Sequence, residues 1–215
     1  DASLVAPMFT GLFMDKMVGF LKLYFPVFLL GAIFGKLIEL SGFSKSIVRA
    51  VIRLFGPDRA MLSIVAVCAV LTYGGVSLFV VVFAVYPFAA ELFRQSDIPK
   101  RLIPGTIALG AFTFTMDALP GTPQIQNIIP TSFFGTTTWA APWLGTIGAA
   151  FILILGMSYL EWRRRVAKRG GEGYGDPATL SNEPAAFAES KLAHPLLALS
   201  PLLLVGIVNK LLTIW

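Results

Sequence analysis

The chain has 215 residues, of which 56% are hydrophobic, and carries a formal net charge of +5. The apolar residues fall in runs long enough to cross a bilayer, which argues against a soluble domain. The basic residues flank these runs, which favours cytoplasmic loops over nucleic-acid binding. The only cysteine, Cys68, excludes an internal disulfide.

The first spanning candidate covers residues 17–40, and residues 1–16 are predicted to be a short preceding segment or outer loop. Residues 41–58 differ, because their bases recur with helical spacing opposite an apolar face. This pattern predicts an amphipathic helix on the cytoplasmic surface of the membrane. Residues 1–59 therefore form the first predicted unit.

Residues 60–93 are apolar almost throughout, and as one helix they would measure about 51 Å against a hydrocarbon core of about 30 Å. The Gly74-Gly75 pair supplies a natural break, giving arms at residues 60–71 and 78–93. Basic residues lie just outside both ends of this stretch, so the two ends should face the same side of the membrane. We predict a re-entrant hairpin that enters the membrane and returns.

Residues 102–134 form an apolar segment interrupted by Pro120, Gly121 and Pro123. Two prolines and a glycine cannot continue a helix, so we predict a helix that rises to residue 122 and resumes at 123–134. Thr122 would cap the second half, with Pro123 at its first position. Broken helices inside a membrane are where transporters place substrates and ions.

Residues 141–161 read as a complete span that ends in a strongly basic run. Residues 162–194 are rich in Gly, Pro, Ser and Glu and are predicted to be a mobile linker. Residues 195–215 form the last span. These elements predict an all-α, polytopic protein of the inner (cytoplasmic) membrane, with loops 41–59 and 162–194 in the cytoplasm.

We predict that the two interruptions meet near mid-membrane and form one polar pocket. Ser77 and Thr122 would each begin a helix there, and two helix N-termini favour a carboxylate. For Gly74 and Gly75, close helix packing is the alternative explanation, and for the amides it is hydrogen bonding between helices. The candidate substrate-binding residues are Thr72, Gly74, Gly75, Ser77, Gly121, Thr122, Gln124, Gln126 and Asn127.

Asp117 is the only acid clearly inside an apolar segment, and an acid at that depth suggests function by default. With Thr115 it is the candidate for ion coupling, by binding a proton or by contributing to a Na⁺ site near Ser77. Capping of amides freed by the break is the alternative role. No other cofactor is predicted.

The sequence has no HExxH, Gly-x-Ser-x-Gly or phosphate-loop motif and no cysteine cluster, so we predict that it is not an enzyme. Three hypotheses stay open. The first is a secondary transporter of a small organic anion, coupled to H⁺ or Na⁺. The second is a passive anion channel or exporter, and the third is a membrane scaffold subunit without transport.

The stretch at residues 115–130 resembles the gluconate permease family of the ion transporter superfamily, as do residues 30–42 and 74–77. The resemblance implies proton-coupled symport of gluconate or related hydroxy acids. It also implies two inverted repeats, each with a hairpin and a broken helix, in a mobile domain against a dimeric scaffold.

Residues 60–161 would then belong to the transport domain, residues 17–40 and 195–215 to the scaffold, and residues 162–194 to the linker between them. Only one repeat is present, and the chain begins without Met. We therefore expect a piece of a longer protein. Its partners would be the remaining half, a second subunit, the lipid bilayer and the organic anion.

Overall fold

The computed structural model describes residues 2–56, 59–176, 183 and 193–214, and every regular element within these ranges is helical. Four of the described helices are long and apolar enough to cross a membrane. The architecture therefore fits a helical membrane protein. In chain order the main helices are α1 (Val5–Leu40), α2 (Phe43–Phe55), α3 (Ala60–Tyr73), α4 (Leu78–Gln95), α5 (Ile103–Ala111), α6 (Ile125–Phe134), α7 (Pro142–Arg169) and α8 (Pro195–Ile214).

Helix α1 has 36 residues and a π-helical turn at Phe9–Phe13. The prediction of a short segment or loop before residue 17 is wrong, because the helix extends through it. Pro7 is compatible with helix there because it lies in the first turns, where its missing N–H costs little. At about 54 Å, α1 is longer than the hydrocarbon core.

Helix α2 has the predicted amphipathic character. Ile47 and Val48 are fully buried, whereas Lys45 and Arg53 are exposed. The buried face packs against α3 and α8, so the helix is held by protein as well as by any membrane surface. The Ser46 hydroxyl also donates to the carbonyl of Ala193, 2.6 Å away, just before α8.

The core is built around α3 and α5. A methyl group added at Gly110 of α5 would overlap Cys68 and the backbone of Val65, so the two helices meet backbone to backbone. Helix α4 packs against both. On the other side of α5, a methyl group added at Gly156 of α7 would overlap the Leu109 side chain.

Helices α3 and α4 are separated at the predicted break. Helix α3 ends at Tyr73 and α4 begins at Leu78, with Gly75 at φ 89° in the turn. With 14 residues α3 is about 21 Å long, too short to cross the core, whereas α4, with 18, is about 27 Å long. The helix pair is present, and its re-entry into the membrane stays a prediction.

The break in the second element is wider than predicted. Helix α5 ends at Ala111 rather than near residue 122, and α6 begins at Ile125. The hydroxyls of Thr113 and Thr115 donate to the carbonyls of Leu109 and Gly110, at 2.7 and 2.5 Å. Side chains that bond to these carbonyls compete with continuation of the helix. Residues 112–124 consequently form an irregular segment, which we call the crossover segment.

The described part of the predicted linker is docked rather than free. Helix α7 runs through Arg169, and residues 172–174 lie against the loop between α4 and α5. Tyr174 is buried, with its amide donating to Asp97 Oδ1 at 3.0 Å. Residues 177–182 and 184–192, to which the prediction also applied, lie outside the described residues.

Candidate functional site

The two breaks are in direct contact. The buried side-chain amide of Gln124 donates to the carbonyls of Thr72 and Val76, at 2.7 and 3.1 Å. The hydroxyl of Tyr73 donates to the carbonyl of Pro120 at 2.9 Å. The turn between α3 and α4 is therefore hydrogen-bonded to the crossover segment.

A cavity of about 420 Å³ lies beside this contact. Four predicted site residues line it: Gly75, Ser77, Gln124 and Gln126. Helix α1 supplies the other wall of the cavity, which was not predicted from the sequence. The signal for that wall was a pair of small residues in an otherwise bulky span, Gly31 and Ala32.

Two helix N-termini open into the cavity, because Leu78 begins α4, Ile125 begins α6, and both residues line it. Ser77 and Gln124 precede these helices, and neither makes a side-chain capping bond. First-turn N–H groups carry partial positive charge. The two N-termini therefore give the cavity a partial positive charge, although no basic side chain is among the described residues that line it.

Thr122 does not cap α6, contrary to the prediction. Its buried hydroxyl donates instead to the carbonyl of Thr115 at 2.8 Å. Since α6 begins at Ile125, Gln124 occupies the position assigned to Thr122. The predicted helix start is thus displaced by two residues, while the N-terminus of α6 still faces the cavity.

Several other predicted residues lie behind the cavity rather than in its lining. The amide of Asn127 donates to the carbonyls of Thr122 and Thr138, both at 3.0 Å, and the Gly121 amide donates to Thr138 at 2.8 Å. These bonds hold the crossover segment to the loop before α7. They favour hydrogen bonding within the protein, rather than substrate binding, as the role of Asn127. The bonds from Gln124 to Thr72 and Val76 favour the same role for Gln124.

Gly74 is buried against α8, and a methyl group added there would overlap the side chain of Leu202. This supports close packing as the role of Gly74. Its neighbour Thr72 is fully buried, and its hydroxyl oxygen has no hydrogen-bond partner within the described part of the chain. The carbonyls of Thr72 and Val76 accept bonds from Gln124, so this hydroxyl oxygen is an unused polar side-chain atom at the turn.

Asp117 lies in the crossover segment, where it is exposed and outside the cavity lining. The burial expected from its apolar surroundings is therefore not found in this chain. Thr115 is buried, but its hydroxyl bonds to Gly110. Within the described residues no three His, Cys, Asp or Glu side chains cluster as metal ligands.

Fold and site together define a multi-pass helical membrane protein with a cavity between two interrupted elements. The chain is similar over its whole length to the "Uncharacterized transporter YxjC" of Bacillus subtilis (strain 168), with 62% identity over 221 aligned positions. The alignment covers 100% of this chain and 47% of that protein, so the chain spans about half the length of this curated relative. No protein-family model and no solved structure matches the chain. The resemblance to the gluconate permease family thus stays a prediction.

Proposed function

We propose that the chain is part of a secondary transporter of a small organic anion, a gluconate-like hydroxy acid or a related carboxylate. The observation that carries this proposal is the convergence of two helix N-termini on one cavity. Half-helix N-termini pointing at an anionic group are how several transporters bind substrate near mid-membrane. The name of the relative, a transporter, supports the same class.

The carboxylate would lie at the beginnings of α4 and α6. Ser77 and the exposed amide of Gln126 would contact the hydroxylated part of the substrate. Gly75 would allow close approach of the turn, since it is part of the lining and has no side chain. The remaining predicted residues would hold this geometry by the bonds described above.

Asp117 and Thr115 are the proposed coupling residues, for H⁺ or for Na⁺. Asp117 lies in the crossover segment, which leads directly into α6, so a change in its charge would act on the beginning of α6. Replacing it by Asn removes the charge and keeps the size. We expect Asp117→Asn to alter the pH or Na⁺ dependence of uptake.

The test uses the full-length protein in sealed proteoliposomes, with labelled gluconate as the probe and a panel of hydroxy acids and dicarboxylates as competitors. Imposed H⁺ and Na⁺ gradients are applied separately. A coupled transporter gives saturable uptake that follows one of these gradients. Gradient-independent, non-saturable flux would indicate a channel or exporter, and no flux of any tested anion would favour a scaffold subunit.

Gln126→Ala should raise the KM for the transported anion, because it removes a polar group from the cavity. Gln95→Ala is the matched control, since Gln95 is also exposed but lies outside the cavity lining. Equal KM values for the two variants would contradict the assigned site. If Asp117→Asn leaves uptake and both ion dependences unchanged, Asp117 has no part in coupling.

The proposed partners are the remaining half of the transporter, a second copy of the whole protein and the bilayer. Helix α1 has a long row of exposed large apolar side chains, including Phe25, Leu29 and Leu37. Such a surface needs a cover of lipid or protein. A homodimer through this helix is the arrangement that the family resemblance implies.

A further inference from the structure

A second cleft, of about 450 Å³, lies between the beginning of α3 and the C-terminal half of α7. It shares no lining residue with the cavity at the helix breaks. Its walls come from the beginning of α3 and from α7, together with Ile98 of the loop between α4 and α5. Ser158 at its rim is exposed, so the cleft is accessible from outside the helix bundle.

The polar end of the cleft carries an excess of positive charge. Arg59 immediately precedes α3 and is exposed, and Arg164 of α7 also lines the cleft. Among the described residues that line the cleft the one acid is Glu161, which accepts bonds from Arg164 at 2.6 and 2.7 Å and from Arg165 at 2.9 Å. Because its charge is already matched, Arg59 leaves the cleft net positive.

The remainder of the lining is mainly apolar and includes Met61, Leu62 and Met157. The cleft therefore combines a cationic end with an apolar body. It lies at the basic end of α7, beside Trp162, where tryptophan and arginine mark the membrane interface. A soluble anion would satisfy the arginines and leave the apolar surface uncovered, whereas a phospholipid satisfies both.

We propose that this cleft binds an anionic phospholipid. Its phosphate lies between Arg59 and Arg164, and an acyl chain lies along Leu62 and Met157. Arg59 suits phosphate because its planar donors bind two oxygens at once. Arg164 already donates from two nitrogens to Glu161 and contributes its remaining N–H groups. Basic pockets between transmembrane helices bind such headgroups in other membrane proteins. The inference is independent of what the protein transports.

The experiment measures lipid binding by native mass spectrometry of the purified full-length protein in detergent. Dioleoyl-phosphatidylglycerol and dioleoyl-phosphatidylcholine are titrated separately, because they have the same acyl chains and differ in net charge. We expect one tight, saturable site for phosphatidylglycerol. Arg59→Gln should weaken it about fivefold, the effect of about 1 kcal/mol for one arginine near the membrane surface.

Arg53→Gln is the charge-matched control, because Arg53 is an exposed base on α2 outside the cleft. A steric variant, Ser158→Trp, fills the cleft with all its charges intact and should also reduce phosphatidylglycerol binding. Both tested positions are exposed, so neither substitution removes buried packing.

Three results would overturn the proposal. In the first, phosphatidylcholine binds as tightly as phosphatidylglycerol. In the second, Arg59→Gln and Ser158→Trp both behave like Arg53→Gln. In the third, inorganic phosphate displaces phosphatidylglycerol at equal concentration, which would make the cleft a site for a free anion rather than for a lipid.

Discussion

Gln124 joins the two interrupted elements, as Tyr73 does, because its amide donates to the carbonyls of Thr72 and Val76. The carbonyl of Thr72 lies at the end of α3, where it also accepts the amide of Gly75 at 3.1 Å, and that of Val76 lies in the turn before α4. A buried carbonyl that loses its donor is costly, at about 1–3 kcal/mol. Gln124 therefore links two segments that are 48 to 52 positions apart in sequence, and Tyr73 adds a second link.

We predict that Gln124→Leu destabilises the protein by about 1–3 kcal/mol, because it keeps the volume and removes both bonds. The measurement is thermal unfolding in detergent followed by circular dichroism. Gln126→Leu is the control, since Gln126 is exposed and two positions away. A midpoint equally lowered in both variants would contradict the role of Gln124.

We predict that Gly74→Ala destabilises the protein by about 1–3 kcal/mol, the usual cost of overpacking, because the new methyl group meets Leu202. Leu202→Ala in the same protein should recover part of the loss relative to the sum of the two single changes. Gly148→Ala is the control, since nothing lies within 4 Å of an added methyl group there. Additive effects in a double-mutant cycle would show that the two residues do not meet.

Among the helices, the sequence predicted an interruption where glycine or proline lies at the interruption itself. Gly74 and Gly75 mark the end of α3, and Pro120 to Pro123 lie within the second interruption. The early end of α5 at Ala111 was not predictable from hydropathy, because residues 107–116 are apolar apart from Thr113 and Thr115, which helices also contain. At this point Thr113 and Thr115 bond to carbonyls about one turn earlier, and such bonds compete with continuation of the helix.

The candidate site was predictable to a similar extent. The two breaks predicted that two helix N-termini face one cavity. The wall supplied by α1 was not predictable, because it depends on tertiary packing that leaves no periodic pattern in the sequence. The burial of Asp117 was predicted wrongly. Its apolar neighbours along the chain suggested burial, but in the crossover segment the side chain of Asp117 is exposed.

The segment after α7, residues 170–176 with Glu183, is held to the α4–α5 loop by charge, and we call it the strap. Arg101 and Glu172 form two bonds of 2.5 and 2.6 Å, and Lys100 lies 2.6 Å from Glu183. The bond from Arg101 holds the pKa of Glu172 below its usual range, and the bond from Lys100 does the same for Glu183. Burial raises the pKa of the Tyr174 hydroxyl, so it stays protonated and donates to Glu183.

We predict that the strap loosens as pH falls. A glutamate with a lowered pKa stabilises the docked state above its ordinary pKa, and this contribution is lost as pH falls through the lowered value. Hydrogen exchange of the amides at residues 172–176, corrected for intrinsic rates, should show high protection at neutral pH and reduced protection at acidic pH. Arg101→Glu should reduce protection at neutral pH, and adding Glu172→Arg should restore it.

Lys36→Glu serves as the control for the strap, because it breaks the ion pair of the same type with Glu39 on α1. Protection at residues 172–176 should not change in that variant. Protection that is insensitive to both pH and Arg101→Glu would show that charge does not hold the strap.

For the whole molecule, the distribution of bases predicts that the two outer ends of the α3–α4 pair face the same side of the membrane. We expect single cysteines at Arg53 and Gln95, in a Cys68→Ala background, to react with a membrane-impermeant maleimide from the same side of sealed vesicles. A cysteine at Thr137 should react from the opposite side. Reaction of the Arg53 and Gln95 positions from opposite sides would establish that α4 crosses the membrane completely.

The contacts of Gly74 and Gly75 differ in kind on their two sides. Toward the crossover segment the turn is tied by directional bonds through Gln124 and Tyr73, whereas toward α8 it meets the aliphatic side chains of Leu202 and Val205. Directional bonds resist displacement, and aliphatic surfaces can slide past one another by small shear movements. The two interrupted elements should therefore move together as one rigid body and shift by shear along α8.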